Sequence, residues 1–143
     1  MPPPSKPGLS AGTVLHVKGY SSRGHPPKDK FLILIGTCTE NVILAFLISG
    51  QLSYLETESH RNEVVRIPHN ATTIFRRDSI IQCFEIERLS LELLREGLES
   101  GKISQCGKLP IKYMHRIREA VSKSNLLPQN DIDDALLVLP PSA

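Results

Sequence analysis

The pattern of apolar and polar positions is most regular between Lys30 and Ser49, KFLILIGTCTENVILAFLIS. Two apolar runs of β-forming residues, Phe31 to Ile35 and Val42 to Ile48, flank a short polar break at Gly36 to Asn41, which predicts a β-hairpin. With the turn centred near Thr39 and Glu40, cross-strand partners have residue numbers of constant sum, so Leu32 falls opposite Leu47 and Lys30 opposite Ser49. Both faces of the hairpin are apolar: Leu32, Leu34, Ala45 and Leu47 on one, Phe31, Ile33, Ile35, Leu44, Phe46 and Ile48 on the other. A sheet wetted on one side would alternate with polar residues, so these strands are expected inside a closed or helix-covered sheet. A cation, Lys30, and a hydroxyl, Ser49, then share one mouth of that buried sheet.

Around the hairpin the same reading places the other elements. Residues 1–10, MPPPSKPGLS, have the composition of a flexible Pro-rich arm, and the fold is expected to begin near Ala11. Thr13 to Lys18 predicts a first strand, followed by GYSSRGHPPKDK, a loop dense in Gly, Pro and positive charge. Val64 to Ile67 predicts a short strand and Ser79 to Ile86 the last one. Ser90 can cap a helix carrying Leu91, Leu93, Leu94 and Leu98, with Glu92 favourable in its first turn, and GKISQCGK breaks it. Pro110 opens a second helix with an apolar stripe of Ile111, Met114, Ile117 and Val121. Its other side, Lys112, Arg116, Glu119 and Lys123, reads as a solvated face. Residues 11–125 thus form a single mostly β domain with C-terminal helices, and 126–143 an acidic and then apolar tail that can pack on the domain or dock elsewhere.

A chain of 143 residues with 40% hydrophobic content is long enough for one domain with a real core. Its net charge of +2 is too small to mark a nucleic-acid binder by overall field, so any basic site must be local. No apolar run approaches the roughly 18 residues of a membrane span, and the start lacks the segments of a signal peptide, so the protein reads as cytoplasmic with no membrane partner. Cys38, Cys83 and Cys106 show no paired spacing and read as reduced thiols rather than a disulfide or zinc framework. His16, His60 and His115 are scattered without ligand spacing, and no cofactor or metal is expected.

No nucleophile elbow, phosphate-binding loop or zinc-protease motif is present, so chemistry must come from a constellation. The loop before the hairpin supplies Arg23, His25, Lys28 and Lys30, an anionic-ligand cleft in which His25 can exchange protons near neutral pH and Lys30 can stabilise charge on a phosphoryl group. Ser49 can donate a hydrogen bond to the same phosphate. The plainer role for this loop is a solubilising one. Arg76 and Arg77 precede the Ser79 strand; as neighbours on opposite faces, at most one can be a phosphate ligand, the other pairing with Asp78 or facing solvent. His69 can reach the same rim, although a surface role is the simpler reading, and Asp78 and Ser79 can satisfy backbone donors at the strand end.

With AGTVLHVKG, HPPKDKFLILIG, VILAFLISGQ and FRRDSIIQCFEIERLS in this order, followed by GKIS and LPIKYMHRIREAVSKS, the chain resembles the MazF/PemK family of toxin endoribonucleases from about Ala11 to Asn125. The resemblance implies an SH3-like barrel with terminal helices, action on single-stranded RNA, and, in its catalytic form, metal-independent cleavage leaving a 2',3'-cyclic phosphate. It implies His25 as acid or base, Lys30 at the family's basic position and Ser49 at its catalytic hydroxyl. Arg23, Lys28, Arg76 and Arg77 would contact RNA. Lys30 lacks the bidentate fork of arginine, and Gln82 and Phe84 stand where some members carry acid-base residues. These departures favour an alternative, a non-catalytic barrel binding RNA or a protein partner such as an antitoxin peptide. The resemblance further implies a homodimer, and leaves open a protein-targeting toxin like the related CcdB fold.

Overall fold

The computed structural model of the protein describes residues 9–20, 28–50 and 63–141. In chain order these form β1 (Thr13–Tyr20), β2 (Lys28–Thr37), β3 (Val42–Ser49), β4 (Val64–Ile67), β5 (Ser79–Gln82), β6 (Glu87–Ser90), α1 (Leu91–Ser100), β7 (Ile103–Lys108), α2 (Ile111–Ser122) and α3 (Gln129–Val138). The strands make one seven-stranded antiparallel sheet in the order β4-β5-β3-β2-β1-β7, with β6 also on β3. The protein is therefore mostly β with C-terminal helices. Edge strands β4 and β7 are joined by no ladder among the described residues, so the sheet stays open.

The central hairpin has the register its pattern predicts. Leu32 faces Leu47 and Phe31 faces Ile48, and only beyond Leu34 does a bulge shift the pairing so that Gly36 faces Leu44. Its two apolar faces enter two separate cores. Ile33, Ile35, Leu44, Phe46 and Ile48 join residues of α2 and α3 in the larger one. Leu32, Leu34 and Ala45 pack with Leu91 and Leu94 of α1 in the smaller one. The uninterrupted apolar runs of β2 and β3 are explained by helices on both faces.

Three elements differ from the sequence reading. The expected strand from Ser79 to Ile86 stops at Gln82 and resumes as β6, with partner numbers summing to 129 along β5 and 132 along β6, so three extra residues are looped out. At the break the chain leaves β3 and stays with β4, the Cys83 N–H donating to the Glu63 carbonyl one step further along the β4–β5 register. The segment read as a helix breaker contains β7, an edge strand with Ile103 as its one fully buried side chain, so its sequence carries little apolar signal. Residues of the expected tail form α3, with Leu127, Ala135 and Leu139 buried. The stripe of α2 is also rotated slightly: Tyr113 is buried with Met114, Ile117 and Val121, while Ile111 is 57% exposed. Ser90 does cap α1, accepting from the Leu93 N–H, and Gly101 ends it at φ +82°. Among the described residues no helix is long and apolar enough to cross a membrane.

Candidate functional site

The antiparallel order brings the end of β1, the start of β2, the end of β3, the end of β4 and the start of β5 to one end of the sheet. Lys30 is paired with Val17 on one side, and continuing the hairpin register sets it opposite Ser49 on the other. Ser49 in turn faces Ile80 on β5. Two residues further along the same face of β5, the Gln82 side-chain amide donates to the Ser49 hydroxyl at 3.1 Å. Gln82 is buried and Ser49 half-buried. With its oxygen accepting from Gln82, the Ser49 hydroxyl has its own proton to donate to a ligand. Lys30 is half-buried and forms no ion pair among the described residues.

Beside this trio is a groove of about 280 Å³ lined by Gly50, Arg66, Ile67, Pro68, Asp78, Ser79 and Ile80. Arg66 is exposed and faces Ile80 across the β4–β5 ladder. At the rim, Asp78 Oδ1 accepts from the His69 backbone N–H at 2.8 Å and lies 2.8 Å from His69 Nδ1. The bond from the His69 backbone N–H, then the bond from its ring, hold the Asp78 carboxyl below the usual aspartate value. An ionised carboxylate only accepts, so Nδ1 carries the proton, and Nε2 is left without a partner among the described residues. Both side chains are well exposed, 64% for His69 and 78% for Asp78.

The residues singled out from sequence are placed unequally. Lys30 and Ser49 lie one step beyond the ladder pair Phe31–Ile48, at matching positions of the hairpin register. Arg76 and Arg77 are exposed in the loop before β5, and neither pairs with Asp78, which is taken by His69. The Arg77 carbonyl accepts from the Ser79 hydroxyl at 3.1 Å, which fixes the strand entry. Lys28 opens β2 opposite Tyr20. Arg23 and His25 lie outside the described residues, so the proposed acid-base histidine has no structural placement. Gln82 is on β5 and Phe84 in the turn beyond it. Neither side chain can transfer a proton near neutral pH. The His69–Asp78 pair was missed as a unit, since two polar loop residues nine positions apart have no sequence spacing that announces a contact. Among the described residues no three His, Cys, Asp or Glu side chains are grouped to hold a metal.

Cys38, Cys83 and Cys106 are free thiols. Burial pushes the Cys83 thiol far up, and the Glu63 carboxylate adds to the effect; burial also raises Cys106. Neither Cys83 nor Cys106 is therefore tuned toward thiolate by its surroundings. Compared with known proteins, the chain matches no family model and no curated protein.

Proposed function

We propose that the protein is a MazF/PemK-like toxin-type molecule, an SH3-like barrel that binds single-stranded RNA across the sheet end holding Lys30, Ser49 and Gln82. One observation carries this reading: the Gln82 amide bonds the oxygen of Ser49, turning its hydroxyl into a donor beside the register position of Lys30. A cation next to an oriented hydroxyl donor suits a phosphate oxygen, with Lys30 supplying charge and Ser49 direction. Arg66 adds positive charge in the groove wall, and Arg76 and Arg77 are exposed in the loop before β5. The trio itself is a binding element. A primary amide has no proton to exchange at neutral pH, so Gln82 favours retention of RNA over turnover at Ser49.

The test is fluorescence anisotropy of a labelled single-stranded RNA against salt concentration. Binding is expected to weaken steeply with salt, and Lys30→Ala to flatten the log–log slope by about 0.7, one phosphate contact on a single strand. Ser49→Ala is expected to weaken binding at every salt concentration with the slope unchanged. Absence of binding at low salt, or affinity unchanged by both substitutions, refutes the reading.

A further inference from the structure

We infer that the outer edge of β4 is a docking site for an extended acidic segment of another protein, which adds to the sheet as a further strand beside α2. The inference is independent of the RNA-binding reading above. β4 ends the sheet, and no ladder covers its outer edge among the described residues. The register decides which groups it offers there. The Cys83 N–H donates to the Glu63 carbonyl, and antiparallel partners exchange bonds at every second pair, so Glu63, Val65 and Ile67 bond toward β5. Val64 and Arg66 then turn both their N–H and their C=O outward, where no backbone bond meets them among the described residues. A row of alternating donors and acceptors is the template for another strand.

The edge borders a second groove, of about 440 Å³, with Val64, Val65 and Arg66 on one side and Arg116, Ala120 and Lys123 of α2 on the other. Val65 and Ile67 are buried in the core with Met114 and Ile117 of α2, so Val64 and Arg66 occupy the opposite face of the strand. An added strand therefore sets one residue beside Arg66, while its neighbour, opposite Val65, turns toward α2 at Ala120 and Arg116. Charge selects the occupant. Both carboxylates of the groove are engaged: Glu63 accepts from the Ser124 hydroxyl and the Asn125 N–H, and Glu119 pairs with Lys123 at 2.8 Å. Arg66 and Arg116 are exposed and enter no ion pair among the described residues. The Arg116 guanidinium is steadied over the Tyr113 ring, 5.2 Å from its centroid. Two uncommitted guanidiniums flanking unpaired backbone suit an acidic segment. They disfavour a second copy, which would bring its own Arg66 and Arg116 to the same edge.

The probe is a fluorescein-labelled peptide, Thr-Glu-Val-Glu-Val-Thr with an amidated end, titrated against the full chain by anisotropy, with amide hydrogen exchange of the complex read residue by residue by NMR. Saturable binding is expected, with protection gained at the Val64 and Arg66 amides and not at Val65, whose N–H already turns toward β5. N-methylation of the two Glu nitrogens, which face β4 when Glu lies opposite Arg66, should weaken binding about tenfold or more; N-methylation of the two Val nitrogens should be tolerated. Arg66→Glu should weaken the peptide about tenfold and favour a peptide with Lys at both Glu positions, an exchange that damage to the fold would not give. Absence of saturable binding, binding indifferent to N-methylation at Glu, or bound peptide without protection of Val64 and Arg66 overturns the inference. So does protection of these two amides by raised protein concentration, or by single-stranded RNA, in place of the peptide, since the edge then belongs to a second copy or to nucleic acid. Any of these failures leaves RNA binding at the Lys30 end to be decided by its own test.

Discussion

Replacing Gly36 by alanine should destabilise the fold through α3, an element ninety residues away in sequence. Gly36 is at the bulge that ends the regular β2–β3 register, with φ at +151°, where a side chain is strained. A Cβ built there would be 2.7 Å from Val138 Cβ and 2.9 Å from both Val138 Cγ2 and the Val138 carbonyl oxygen. Ordinary contacts between such atoms are about 3.5–4.0 Å, so the end of α3 would have to withdraw by about 1 Å. It is not free to do so. Arg118 Nη1 donates to the carbonyls of Leu136 at 2.8 Å and Leu139 at 3.1 Å, and Arg88 Nη2 bonds Asp131 at 2.7 Å and Asp134 at 2.8 Å. Overpacking of about 1–3 kcal/mol and backbone strain of about 1–3 kcal/mol together give a loss of about 2–6 kcal/mol. Urea unfolding followed by circular dichroism measures it as a lower midpoint at unchanged slope. In a Val138→Gly background the Cβ and Cγ2 contacts are gone, so the cost of Gly36→Ala should fall by about 1 kcal/mol or more, a coupling typical of touching residues. A cost below about 0.5 kcal/mol, within the range of ordinary surface changes, or an equal cost in both backgrounds, would refute the steric argument.

Glu63, 7% exposed, accepts from the Ser124 hydroxyl and from the Asn125 N–H at 2.9 Å, tying β4 to the segment after α2. Glu63→Ala should cost about 2–4 kcal/mol in urea unfolding, from two bonds to a charged group; a change within error would show that water replaces the carboxylate. Folded protein treated with iodoacetamide at mildly alkaline pH should be modified at Cys38 well before Cys83, whose thiol is buried and pushed far up; mass spectrometry showing equal rates would contradict the burial. Because Asp78 has its carboxyl held below the ordinary 3.8, its contribution to the 68–78 loop is complete above that pH and is lost as pH falls through the depressed value. Exchange protection of the His69 amide should therefore fade only below about pH 4, and Asp78→Ala should abolish it at neutral pH.

Much of the sheet was legible because its signal is local. The runs around Gly36 to Asn41 set both strands, their register and the two faces, since side chains alternate strictly in a strand and a slip by one residue would put every apolar residue on the wrong face. Ser90 and Pro110 likewise marked helix starts, because unsatisfied N–H groups and the fixed angle of proline act within one turn. Edge strand β7 escaped notice because it buries little. The broken strand at Cys83 escaped because it is set by pairing with β4, whose Glu63 carbonyl comes from twenty residues earlier in the chain. Tyr113 displaced Ile111 from the core for a related reason: the stripe of α2 is chosen by the surface it lands on, and a helix tolerates rotation by one position.

For the candidate site the division is similar. That Lys30 and Ser49 hold matching positions of the hairpin register was determined by the sequence alone. That Gln82 binds the Ser49 oxygen, that Arg66 shares a groove with Gly50, and that His69 is held by Asp78 were decided only by the tertiary structure. These contacts join residues from separate strands and a loop, and no periodicity in one segment encodes where another comes to rest. Local pattern fixed the hairpin; the packing of β4 and β5 against it decided which polar groups surround its open end.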